Sequence, residues 1–407
     1  MVTLIGYEWR KHFRKGSLIA ALLLFTVLNV GKIYSVHESN SLLENPGWGA
    51  LYAEQFHDFG GTITDEKIRK LMAIYQPLAN QTAELTTSTT YRPPGTRLSN
   101  VYTDWNFFRY CFVNPMKYDY DYKAYAEGVV TSAKDNITFY EALGNHYDSR
   151  KNAAIAELFQ GRSITSFAYT EMYNYYVQYD FSALLVLLIC LYGLLNVFLS
   201  EKETEMDTLL LTTKAGGVKT AWAKLLASAL FVCCVSFWFW LVDFFAFSFI
   251  FDSWGAASSP LYALEDFIHA GLNMNLGQYA LLSALVKTAG MLVLGLLFLL
   301  ISSLFRNALL PFILSLLISF GCMYQQEAFA GSGRILLKII NPFVLVVNRE
   351  LFRRAEFVSL LGYPLPSYIA ALLIAASLGI VFLYGLAIFM RKNALRKGDG
   401  NRVNLDV

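Results

Sequence analysis

Charge is scarce in this chain. Asp, Glu, Lys and Arg make up 16% of its 407 residues, against about a quarter in soluble domains. The formal balance is only +2, so no broad basic field invites nucleic acid, and none is expected as a partner. Cysteine is equally sparse. Four of the five (Cys190, Cys233, Cys234, Cys322) sit in apolar runs and only Cys111 lies in a polar segment, which gives neither a disulfide framework nor a metal-ligand spacing. The five histidines (His12, His37, His57, His146, His269) are scattered. A G-x-x-x-x-G-K-[ST] phosphate loop is missing: the nearest approach, AGGVKT at 215–220, lacks the Gly-Lys pair. Neither G-x-S-x-G nor H-E-x-x-H occurs. No catalytic, metal or cofactor site is therefore expected, and the chain is not expected to hydrolyse ATP itself.

What is abundant is apolar surface. Hydrophobic residues reach 55%, aromatics 15%, and the mean hydropathy is +0.40. The pattern predicts an all-α polytopic membrane protein with six transmembrane helices, at 17–35, 181–199, 226–251, 278–305, 308–324 and 367–390, each near or above the roughly 20 residues needed to cross a bilayer. Residues 1–16 place Leu4, Ile5, Trp9 and Phe13 on one helical face with Arg10, Lys11, Arg14 and Lys15 elsewhere, the pattern of a helix lying in the membrane interface. Arg391, Lys392, Arg396 and Lys397 in the tail at 391–407 put the C-terminus on the cytoplasmic side, and six crossings put the N-terminus there too.

The segment at 36–180 is too polar to span and too long for a simple connection, so it reads as a folded, mainly helical extracytoplasmic domain. From 37 to 180 it carries 12 Lys/Arg against 17 Asp/Glu, a net −5, and 16 of the 25 tyrosines. Its expected elements are a capped amphipathic helix from Thr64, helices over 123–143 and 148–178 with a break near Gly161, and a loop over 86–100. Tyr118, Tyr120, Tyr122 and Tyr125 read as a half-buried packing surface in preference to a ligand face. Two further outer connections follow: 252–277, with a weak helix, and 325–366. In the latter the apolar run 335–347 is too short to cross and is split by Pro342, as a re-entrant or interfacial helix would be.

The polar interval SEKETEMDTLLLTTKAGGVKTAWAK at 200–224 is bracketed by two membrane-length runs. Its acids, Leu-Thr patch, glycine pair and closing lysine describe a short helix, a turn and a membrane re-entry. Together with the six-span pattern, this order resembles the type-2 ABC-transporter permeases, exporter-like membrane subunits that work with a separate ATPase. The resemblance covers the spans and the hinge at roughly 1–35 and 181–395. It implies that 200–225 is the coupling-helix loop docking on the ATPase, with Glu201, Glu203, Thr208, Leu209, Leu210, Leu211, Thr212, Thr213, Gly216 and Lys224 as its coupling residues. It also implies a second permease subunit, ABC ATPase subunits that bring ATP and Mg, and export of a hydrophobic or amphipathic substrate such as an antimicrobial peptide, drug or lipid. The large first outer domain departs from the compact family pattern. The alternative is a membrane-anchored sensor that binds a ligand through that domain, which would have no need of an acidic, Leu-Thr-rich hinge.

Two ionisable residues fall within expected spans, Asp243 and Lys287. A charge at that depth costs up to about 3 kcal/mol on insertion scales, so each should face the bundle, and the two are expected to pair as a brace or as part of a translocation path.

Overall fold

The structure is a computed structural model that describes residues 1–39, 47–87, 100–204, 218–251, 255–329 and 335–403. Among the described residues six helices are long and apolar enough to cross a membrane, as the hydropathy pattern predicts. They are α2 (Gly16–Glu38), α9 (Phe181–Glu203), α10 (Val218–Ile250), α11 (Leu276–Leu304), α12 (Leu309–Phe329) and α16 (Ser367–Val403), called spans 1 to 6 below. Span 2 is the most buried of them, and spans 1 and 6 are among the most exposed. Large apolar side chains such as Val27, Phe249 and Tyr384 stand out from the bundle, the arrangement expected where lipid and not water is the outer solvent.

The bundle packs around spans 2, 3 and 4. Leu191, Leu194, Leu294 and Phe298 are fully buried in one half of the core, and Phe247, Leu276, Val344 and Phe352 in the other. Span 4 starts at a capping box: Asn275 Oδ1 accepts from the Gln278 amide (2.8 Å) and the Gln278 side chain accepts from the Asn275 amide (3.1 Å). The apolar run after 335 is not one helix. It breaks at Pro342 into α13 (Ile335–Ile339) and α14 (Phe343–Val346), because proline cannot continue the hydrogen-bond ladder, and a third short helix, α15 (Arg349–Phe352), follows a second break at Val347 and Asn348. Fragment α14 lies hard against Gly290 of span 4, where a Cβ would stand 2.8 Å from Leu345 Cβ.

Between spans 1 and 2 the chain forms α3 (Trp48–Phe59), α4 (Asp65–Thr87), α5 (Asn100–Phe108), α6 (Asn114–Ala142), α7 (His146–Phe159) and α8 (Glu171–Gln178). Helix α4 begins as expected: Thr64 Oγ1 accepts from the Lys67 amide (3.3 Å), and Asp65 and Glu66 occupy the first turn, where the helix dipole favours negative charge. The helical stretch expected over 148–178 breaks near Gly161 as expected: Gly161 takes φ +74° after α7, and α8 follows. There β2 (Ser166–Phe167) pairs antiparallel with β1 (Gly61–Thr62), with Gly61 opposite Phe167. A second short pair, β3 (Phe357–Leu360) and β4 (Tyr363–Pro366), turns through Leu361 and Gly362, both at positive φ.

The tyrosines of α6 serve packing. Tyr118 donates to the Tyr262 carbonyl (2.8 Å), Tyr122 stacks on Tyr262 at 4.7 Å, and Tyr125 meets His269 Nδ1 at 2.7 Å, while Tyr120 points outward. The expected weak helix in the 255–275 connection is replaced by single 3-10 turns at Gly255–Ser258, Leu261–Ala263 and Glu265–Phe267.

Candidate functional site

Helix α1 (Val2–His12) packs on spans 2 and 3. Phe13 stacks on Phe231 (ring centroids 4.3 Å, 11°) and Trp9 meets the same ring edge-on, while Arg10 and Arg14 are exposed. Two polar residues share this buried face. Glu8 and His12 are each 2% exposed, and they approach to 3.2 Å without the alignment of a hydrogen bond.

Beside them, Glu201 near the end of span 2 takes two lysines. Lys11 Nζ lies 2.5 Å from Oε1, and Lys224, in the first turns of span 3, donates to Oε2. Glu201 and Lys224 are buried, and Lys224 also lies over the Phe198 ring. Lys202 donates to the carbonyls of Ser303 and Phe305 at the end of span 4, where the helix leaves acceptors unpaired. Of the residues that the hinge resemblance names, the structure thus joins Glu201 and Lys224 and leaves Glu203 exposed. Thr208, Leu209, Leu210, Leu211, Thr212, Thr213 and Gly216 lie outside the described residues.

Ligand atoms of Glu8, His12 and Glu201 come within 4.8 Å of one another, the one group of metal-ligand spacing among the described residues. Lys11 and Lys224 set two positive charges beside the two carboxylates here. Glu8 and His12 fall inside the arc that Leu4, Ile5, Trp9 and Phe13 define at helical spacing; that interruption of an apolar face was the available signal for them.

Deeper in the bundle, Asp243 of span 3 and Lys287 of span 4 line one cavity of about 40 Å3, room for one or two water molecules. They form no ion pair within 4 Å. Asp243 instead accepts from Asn29 Nδ2 of span 1 (2.6 Å), whose Oδ1 accepts from the Tyr179 hydroxyl (2.8 Å), and Ser182 lies beside the carboxylate. Lys287 stands in the field of both Asp243 and Asp180. Ser236 Oγ, buried in the same wall, has no partner among the described residues. The expected direct brace is therefore not formed: Asp243 is held by Asn29 of span 1 and Ser182 of span 2, while Lys287 of span 4 shares only the cavity and the field. The cavity offers donors and acceptors inside an apolar bundle, with no nucleophile held by a base. Asn29 was legible as a polar residue in mid-run; its partner was not.

Comparison with family models, with curated proteins and with solved structures returned no match.

Proposed function

We propose that this chain is the membrane permease subunit of an ATP-driven transporter, resident in the cell membrane with both termini cytoplasmic. It works with a second permease subunit and with separate ABC ATPase subunits that supply ATP and Mg. In this reading α1 lies in the inner interface, the 47–180 unit and the 255–275 and 335–366 connections face outward, and the loop at 205–217 docks on the ATPase. The chain does no chemistry of its own; it converts ATPase closure into rearrangement of the spans and exports a hydrophobic or amphipathic substrate.

The observation that carries this reading is the buried Glu201–Lys224 bridge. It closes the base of the 205–217 loop, and Lys11 ties that base to α1. A displacement imposed on the loop is then delivered to spans 2 and 3 together, and Lys202 passes it to the end of span 4. An exposed pair would be worth too little to transmit force; a buried one resists separation because either charge alone is costly there. The polar cavity of Asp243 and Lys287 lies between these same spans, where a relative movement would open it.

The test is ATP hydrolysis by the complex reconstituted in lipid, measured across a panel of amphipathic peptides, drugs and lipids. Stimulation by a subset of the panel is expected. A flat response to every compound would contradict transport and favour a ligand sensor.

A further inference from the structure

The unit between spans 1 and 2 meets the 255–275 connection across a second cavity, of about 450 Å3, within the range of pockets that enclose drug-sized molecules. Four carboxylates line it: Asp119 from α6, Glu171 from the first turn of α8, and Glu265 and Asp266 from the connection. Among the described residues no lysine, arginine or histidine shares the lining. Asp266 is already satisfied, by Arg353 at 3.1 Å and Gln178 at 3.1 Å.

Asp119 is not. It is only 7% exposed, it lines the cavity, and among the described residues no hydrogen bond or ion pair engages it. A buried carboxylate without a partner is expensive. Burial and then the nearby Glu265 push its carboxyl up to about 8, as happens where negative charge is gathered without a counterion. The rest of the wall is mixed: Ser166, Thr170, Asn174, Gln178 and Ser259 bring hydrogen-bonding groups, and the rings of Phe167, Tyr118 and Tyr175 form its aromatic part. A bare divalent ion does not suit the site: calcium takes six to eight oxygens at about 2.3–2.6 Å, whereas these carboxylates, on separate elements around a wide space, form no group of metal-ligand spacing.

We propose that this cavity binds an organic cation with an apolar body, its ammonium or guanidinium group between Asp119 and Glu265 and its apolar part against Phe167, Tyr118 and Tyr175. The proposal rests on the permease reading only in taking the bound cation as the transported substrate. Helix α8 contributes to both cavities: Asn174, Tyr175 and Gln178 line the acidic one, and Tyr176, with Tyr179 just past the helix end, lines that of Asp243 and Lys287. A cation held at the first is therefore one short helix away from the polar cavity among the spans.

The experiment uses the full chain in nanodiscs of phosphatidylcholine, with no ATPase present. At pH 9, where Asp119 is ionised and lysine still carries its charge, a fluorescent amphipathic peptide carrying several lysines is titrated in, with a version carrying glutamate in their place as control. Saturable binding of the lysine peptide alone is expected. Asp119→Asn and Glu265→Gln, both nearly isosteric, should each weaken it about tenfold, the effect of one lost charge contact of about 1.4 kcal/mol, while melting as folded protein. Millimolar calcium should leave binding intact. Equal binding of both peptides, wild-type affinity in the Asp119→Asn/Glu265→Gln double variant, or displacement by calcium would overturn the proposal. Since no ATPase takes part, failure of the permease reading would leave this binding unchanged. Loss of binding alongside intact ATPase docking would sink the cavity alone.

Discussion

Replacing Glu201 by Gln probes the junction on which the coupling argument depends. The substitution keeps the shape and removes the charge that faces Lys11 and Lys224. Lys11, whose side chain is about a third exposed, can turn to solvent, but Lys224 is 4% exposed and keeps only Glu8 and the Phe198 ring as compensation. Stranding one member of a buried ion pair costs about 3–5 kcal/mol, and a cation over an aromatic ring returns roughly 0.5–2 kcal/mol, so a net loss near 3 kcal/mol is expected. For a chain of this size each kcal/mol moves the midpoint by about 2 °C, which predicts a fall of roughly 6 °C in thermal melting of the purified protein and a lower folded yield. Glu201→Gln combined with Lys224→Met should recover most of it, because the second change removes the stranded charge. A single variant that melts within about 1 °C of wild type, or a double variant no better than the single, would refute the reasoning.

Three further outcomes follow from other parts of the fold. Asn29→Leu strips Asp243 and Tyr179 of their shared partner and should cost about 2 kcal/mol, whereas Lys287→Met, with no ion pair within 4 Å to lose, should cost less than Asp243→Leu; the ranking is read from melting in detergent. Gly290→Val drives a side chain into Leu345 and Val346 and should lose about 1–3 kcal/mol by overpacking, seen as reduced folded yield, with Gly290→Ala losing less. Asp119, held up to about 8 from an ordinary value near 3.8, keeps its proton in the folded state where the unfolded chain has lost it. Stability should fall as pH rises from about 4 to about 8, and Asp119→Asn should match wild type near pH 4 and melt higher than it at pH 8.

The six apolar helices were legible because crossing a bilayer demands an uninterrupted run of about 20 apolar residues, a signal that needs no tertiary information. Pro342 likewise announced the break between α13 and α14. The strands were not legible: β1 and β2 are two residues each and exist because Gly61 and Phe167 are brought together by the helices around them. The β3–β4 hairpin carries Leu361 at positive φ, a position where Asn or Gly would have announced the turn. At the site, Asp243 and Lys287 stood out as charges in apolar runs, but which group each meets depends on how the spans rotate against one another, and Asp243 takes Asn29 as its partner. Glu201 and Lys224 lie 23 positions apart on helices either side of the polar interval 205–217, so their meeting follows from an antiparallel return that the hinge resemblance already implied.

The central claim, that the 205–217 loop docks on a separate ATPase, is tested most directly by cross-linking from that loop. A photoreactive residue in place of Leu210, in membranes where the chain is expressed with its ATPase, should capture a protein bearing a phosphate-loop motif, and the yield should change when ATP and vanadate are added. Aspartate at Leu209 and Leu211 should abolish the product. Cross-links to lipid alone, or an ATPase product that survives those aspartates, would contradict the account.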